Sequence, residues 1–128
     1  MITIKKENMN VEDLREYCLS LKGTQENQPW TEPQYQMLMT FTVGGKWFCM
    51  ADLDKKFIDV KSEPDKIHEM QTIYKGCFPA WHMNKEHWLG VTLESDVPDA
   101  VIKELLKDGY ELIISHLPKK TKEELGAA

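Results

Sequence analysis

The chain has 128 residues, of which 16 are basic and 21 acidic, for a net charge of −5. That length suits one domain, and 41% hydrophobic with 29% charged residues is the composition of a chain that folds. The acidic balance excludes a strongly basic nucleic-acid protein but allows a local basic patch, and no apolar run approaches the ~18–20 residues of a membrane span.

The opening residues, Met1 to Glu7, hold no apolar core of signal-peptide length. Cys18, Cys49 and Cys77 are odd in number and far apart, with no CxxC pair. They read as reduced, mostly buried thiols of a cytoplasmic protein.

Asn10 is a helix N-cap, with Asp13 at the capping-box position. Val11, Leu14, Tyr17, Cys18 and Leu21 recur at spacings of three and four, which makes one apolar helix face. Gly23 supplies the stop. Residues 24–36 hold two prolines and many polar side chains and read as a loop, anchored by Trp30 and Tyr35.

Residues 37–52 read as a hairpin around Gly44-Gly45. A two-residue turn pairs Val43 with Lys46, which sets Phe41 against Phe48 and Met39 against Met50 on the core face. Thr40, Thr42, Trp47 and Cys49 then take the other face. In the next strand, Phe57–Lys61, Ile58 and Val60 face the core while Asp59 and Lys61 face out.

Ser62 caps a second helix, with Pro64 in its first turn, Asp65 at the capping-box position, and Ile67, Met70, Ile73 and Tyr74 as its stripe. Gly76 ends it. Strands around 78–82 and 87–93 form a second hairpin closed by residues 83–86. Asp96 caps a last helix with Pro98 in its first turn and an apolar face from Val101 to Leu117. Gly109 predicts a kink or split near Asp108. Pro118 ends that helix and a basic tail follows.

The expected fold class is therefore α+β. It has two layers in the order α-β-β-β-α-β-β-α, with a mostly antiparallel five-stranded sheet packed under helices. Residues 1–128 form a single domain, with a core of about 9–117 and a tail of 118–128.

Few residues point to chemistry. Cys77 and His82 could act as nucleophile and base, but a buried thiol beside a surface imidazole is the simpler reading. His82 and His87 flank a turn, and a third metal ligand would have to come from Cys77, Glu86 or His68. Asp52, Asp54 and Asp59 lack the spacing of a calcium loop. There is no GxSxG, no Walker loop and no GxGxxG. No catalytic residue, metal or cofactor is therefore assigned.

Charge is uneven along the chain. Residues 1–60 carry seven basic and nine acidic groups, residues 94–128 five and eight, and residues 61–93 four of each. The last of these segments adds three histidines and holds Trp81 and Trp88. Such a hairpin could lie on nucleic acid, with rings stacking on bases and lysines meeting phosphates. Equally, the tryptophans could be core and Lys85 a loop lysine.

Pro79-x-x-His82-Met83-Asn84-Lys85-x-His87-Trp88 resembles the signature of the MmcQ/YjbR family of small bacterial proteins. Residues 10–23 resemble the family's opening helix, Val43-Gly44-Gly45-Lys46-x-Phe48 its first hairpin, and Val60-Lys61-x-x-Pro64 its third strand and helix start. Tyr110-Glu111-Leu112 and Leu117-Pro118-Lys119-Lys120 resemble its close, so the likeness covers roughly residues 9–125. The resemblance implies a secretion-chaperone-like two-layer fold, no enzyme activity, and DNA binding with β-hairpins as wings. The matched polar positions are Lys46, Lys61, His82, Asn84, Lys85, His87, Lys119 and Lys120, and Trp88 joins them as the hairpin ring.

The leading expectation is thus a non-catalytic DNA-binding-type protein, weak and electrostatic in its binding. The alternative is a protein- or small-ligand-binding module, with a concave sheet face or the Trp30/Trp81/Trp88 region as its surface. An enzyme using the His82/His87 hairpin is a third reading. A positive strip joining Lys46, Lys61, Lys85 and the tail would favour DNA, and an apolar groove would favour the module.

Overall fold

A computed structural model describes residues 9–81 and 83–126. Helix α1 (Val11–Ser20) leads into strand β1 (Gln25–Asn27), a 3₁₀ turn (Pro33–Tyr35), β2 (Leu38–Val43), β3 (Lys46–Asp52) and β4 (Phe57–Lys61). Then come α2 (Pro64–Ile73), β5 (Cys77–Pro79), β6 (Trp88–Thr92), α3 (Asp99–Ser115) and α4 (Lys119–Glu124). The strands form one antiparallel sheet in the order β1-β2-β3-β4-β6-β5. The α+β class and antiparallel sheet are as expected, but there are six strands, not five. The additional one is β1, a three-residue edge strand too short and polar for a periodicity signal. Arg15 of α1 holds it through paired contacts to Glu26, at 2.5 and 3.1 Å.

The capping box of α1 forms in full, with Asn10 and Asp13 exchanging hydrogen bonds of 2.9 and 3.3 Å. Leu14 and Cys18 are fully buried on its inner face. The Gly44-Gly45 turn also forms. Both glycines have positive φ, +59° and +78°, and Val43 pairs with Lys46, as a primed two-residue turn requires.

The register then departs from the expected one. A β-bulge makes Phe41 oppose Cys49, Thr40 oppose Met50 and Met39 oppose Ala51. The extra residue in β3 lets Phe48 and Cys49 both enter the core with Phe41. The price is that Met50 turns to the opposite face, so neither Phe41/Phe48 nor Met39/Met50 is a directly opposed pair. Cys49 is core and not part of the polar face.

Other local corrections follow from competing partners. Ser62 does not cap α2. Glu63 occupies the N-cap position, and the Ser62 N–H donates to the His87 carbonyl at 3.0 Å. Ile73 of the expected stripe is exposed, and α2 stops there, before Gly76. Asp96 does not cap α3, which starts after Pro98. Its carboxylate accepts from the N–H groups of Lys75 and Gly76, each at 2.7 Å. Helix α3 runs unbroken through Gly109. There a Cβ would lie 2.7 Å from the Lys61 carbonyl oxygen, so the glycine permits close packing on β4 and causes no kink. The tail is not free, because Lys119–Glu124 forms α4 and Leu125 packs on the core. The second hairpin is shorter than expected. β5 ends at Pro79 and β6 begins at Trp88, so residues 80–87 form the loop.

Ile58 and Val60 face the core as expected. Asp59 takes the other face but is fully buried and not solvent-facing. Among the described residues, no helix is long and apolar enough to cross a membrane.

Candidate functional site

Helix α3 crosses β3 and β4 on the core side of the sheet. Its last turn overhangs the end of the sheet where the β2–β3 turn lies. Leu117 seats against Gly44, where a Cβ would come within 2.6 Å of the leucine. Between this overhang and the strand ends lies a groove of about 750 Å³.

Four of the sequence-predicted residues meet there: Lys46 from the start of β3, Lys61 from the end of β4, His87 before β6, and Trp88. Lys61 and Trp88 are register partners across β4 and β6. The Lys61 ammonium sits 5.5 Å from the Trp88 ring centroid, within cation–π range. This contact holds Lys61 along the groove wall. It also covers Trp88, which is only 9% exposed and so is not presented for stacking on a base.

The opposite wall is apolar, built by Leu112, Ile113, Leu117 and Pro118. His116 lies at the same end, with Nδ1 2.8 Å from the Leu112 carbonyl. Glu63 at the α2 start is the one carboxylate on the lining. Lys119 and Lys120 are exposed and follow directly after Pro118, just past the rim.

The other predicted residues do not join this group. Lys85 folds back, and its ammonium donates to the Ala80 carbonyl at 3.1 Å. Asn84 serves the same loop. Its side-chain oxygen accepts from the Glu86 N–H at 2.8 Å, and its carbonyl accepts from the His87 N–H. His82 lies outside the described residues.

The Cys77–His82 and His82–His87 pairings considered from sequence both include His82, which lies outside the described residues. Cys77 is buried, and burial, with Asp96 adding to it, pushes its thiol up to about 11. Such a thiol is a poor nucleophile near neutrality. Asp52 ties its own loop by accepting from the N–H groups of Asp54 and Lys55, at 3.1 and 2.8 Å. Among the described residues, no group of three or more His, Cys, Asp or Glu is placed to hold a metal ion.

Sequence reasoning missed the α3 wall and His116. Ile113 and Leu117 looked like ordinary core positions, and Leu112 was named only in the family resemblance. Only the crossing of α3 over the sheet places them opposite Lys46 and Lys61.

Comparison with known proteins decides the family. The YjbR family model matches residues 19–112. The chain belongs to the YjbR family. It is 32% identical to YbdF, an uncharacterised protein of Escherichia coli O157:H7, over 87 residues, covering 66% of this chain and 71% of that one. It is 28% identical to uncharacterised YyaQ of Bacillus subtilis over 113 residues, covering 79% and 95% of the two chains. Among solved structures it is similar to Deinococcus radiodurans DR2400, of domain family DUF419. The TM-score is 0.82 at 28% identity, over 93% of this chain and 89% of that one. A Pseudomonas syringae protein matches with TM-score 0.70 at 25% identity, over 81% and 98%. In this chain, the YjbR fold carries the groove described above.

Proposed function

We propose that this YjbR protein is a non-catalytic, cytoplasmic binding module. Its ligand is a small organic anion with a flat apolar body, held in the groove between Lys46, Lys61 and the end of α3. One observation carries this reading. Three separate segments bring Lys46, Lys61 and His87 to one side of a cleft whose other side, at the end of α3, is apolar apart from His116. Small-molecule sites have this character, a mostly apolar concavity with a few convergent polar groups. The anionic group would pair with Lys46 and Lys61, and the apolar body would lie on Leu112, Ile113 and Leu117. Ser115 Oγ lies 3.2 Å from His116 Nδ1, but this hydroxyl donates to the Leu112 carbonyl at 2.7 Å and so serves the end of α3, and recognition rather than turnover is assigned. Three buried free thiols suit a reducing compartment.

A second reading, DNA binding, draws on Lys119 and Lys120 beyond the rim. It loses Lys85, which is committed to Ala80, and Trp88, which lies under Lys61. The expected strip from Lys46 to Lys85 and the tail is therefore broken at Lys85.

Calorimetric titration with naphthalenesulfonate and with duplex DNA separates the two. The module reading expects saturable one-to-one binding of the sulfonate, lost in Lys61→Ala. The DNA reading expects duplex binding with a log–log salt slope of roughly −3 for about three lysine contacts, between about 50 and 200 mM salt. Duplex binding with that slope and no sulfonate binding would replace the first reading by the second.

A further inference from the structure

A second cavity, of about 320 Å³, lies on the sheet face away from the helices. It is lined by Trp30, Tyr35, Leu38, Trp47, Met50 and Met83. The Trp30 and Trp47 rings meet at 71° with centroids 5.5 Å apart, and Tyr35 stands 6.3 Å from Trp30 at 53°. Three rings thus form a corner and a side wall. Met50 and Leu38, both buried, form the floor, and Tyr35 at 38% exposure marks the open side.

We propose that this corner is an aromatic cage for a small quaternary ammonium group, such as a trimethylammonium head. Ring faces carry negative potential and attract a cation within about 6 Å of the centroid, and the ring spacings allow one cation to reach more than one face. Among the described residues, the lining contains no lysine, arginine or histidine to oppose a positive charge. Met50 and Met83 add polarisable thioethers.

The same lining selects among cations. A primary ammonium must replace the water on its three N–H groups. The cage offers thioethers and ring faces, which are weak acceptors. A trimethylammonium group has no N–H to satisfy and spreads its charge over methyl groups that pack on rings. A volume at the small end of ligand pockets fits a head group better than a large body.

The bulge in β3 builds this cage. By admitting Phe48 and Cys49 together to the core, it turns Met50 to the outer face. Trp47 lines both this cavity and the lysine groove, so Trp30 is the better residue to vary.

The test is a titration of the full chain with tetramethylammonium and choline, following the indole N–H resonances of Trp30 and Trp47. The neutral tert-butyl analogue of choline and ethanolamine serve as comparisons. Saturable binding with a Kd on the order of 1 mM is expected for the two quaternary ions. Both comparison compounds should bind at least about tenfold more weakly. Trp30→Ala should weaken choline about tenfold, Trp30→Phe less, and Trp81→Ala, at an exposed ring outside the lining, not at all. A folded Trp30→Ala variant, checked by circular dichroism, that binds choline normally would overturn the proposal. So would equal binding of the tert-butyl analogue, or no saturable shift with either quaternary ion.

Discussion

Replacing Gly109 by Ala tests how closely α3 sits on the sheet. In a solvent-facing helix the change would stabilise by about 1 kcal/mol, because alanine loses less backbone entropy. Gly109 is buried, however, and an added Cβ would lie 2.7 Å from the Lys61 carbonyl oxygen and 3.2 Å from Val60 Cγ2. The nearer of these is backbone in the middle of the α3–β4 contact, which no rotamer change can relieve. Overpacking of this kind costs about 1–3 kcal/mol. Set against the propensity gain, the net expectation is destabilisation of about 1 kcal/mol, or a Tm lower by roughly 3–5 °C. Urea unfolding followed by circular dichroism measures it, with the slope compared to ensure that the unfolding transition is otherwise unchanged. Sulfonate affinity should fall too, because relief of the clash displaces Lys61. A rise in Tm, as for an exposed helical glycine, would refute the close approach and the groove geometry that depends on it.

Asn10→Ala removes one arm of the α1 capping box and should cost about 1 kcal/mol in urea unfolding. Asp96→Asn should lower Tm at neutral pH. The Lys75 and Gly76 N–H groups hold the Asp96 carboxyl below its ordinary value. Its stabilisation is therefore full above the usual carboxylate range and lost as pH falls through the lowered value, so the gap to wild type should close in acid. Cys77, with its thiol pushed up to about 11, should react with a chromogenic disulfide at pH 8 only as fast as the protein unfolds, whereas a free thiol reacts at once. Lys85→Ala should leave sulfonate affinity unchanged, since that ammonium is spent on the Ala80 carbonyl. A loss equal to that of Lys61→Ala would move the site to the 80–87 loop.

Much of the fold was legible because its signals are local. Asn10 and Asp13 sit three apart and need only each other. Gly44-Gly45 needs only its own φ angles. Where the sequence misled, a distant partner had won. Ser62 resembles a cap, but its N–H extends the β4–β6 ladder to the His87 carbonyl, so Ser62 stays with the strand and the helix starts one residue later, after Glu63. Asp96 resembles a cap for α3, but two N–H groups 20 and 21 residues earlier bind it. The bulge at Phe48 is invisible to period-two reasoning, because alternation assumes that each residue has one partner. The site was half legible. Lys46 and Lys61 were named from the family resemblance and His87 and Trp88 from the hairpin as well, but nothing local distinguished them from Asn84 and Lys85, which serve their own loop. The apolar wall came from helix positions whose role depends on where α3 ends.

The central claim is that Lys46, Lys61 and the end of α3 form one ligand site. Amide and indole NMR of the full chain, titrated with naphthalenesulfonate, tests it most directly. The account predicts saturable shifts at Lys46, Lys61, Trp88 and residues 112–117, with a common Kd that Lys61→Ala raises by about tenfold. Shifts confined to the 80–87 loop, or none at saturating sulfonate, would contradict it.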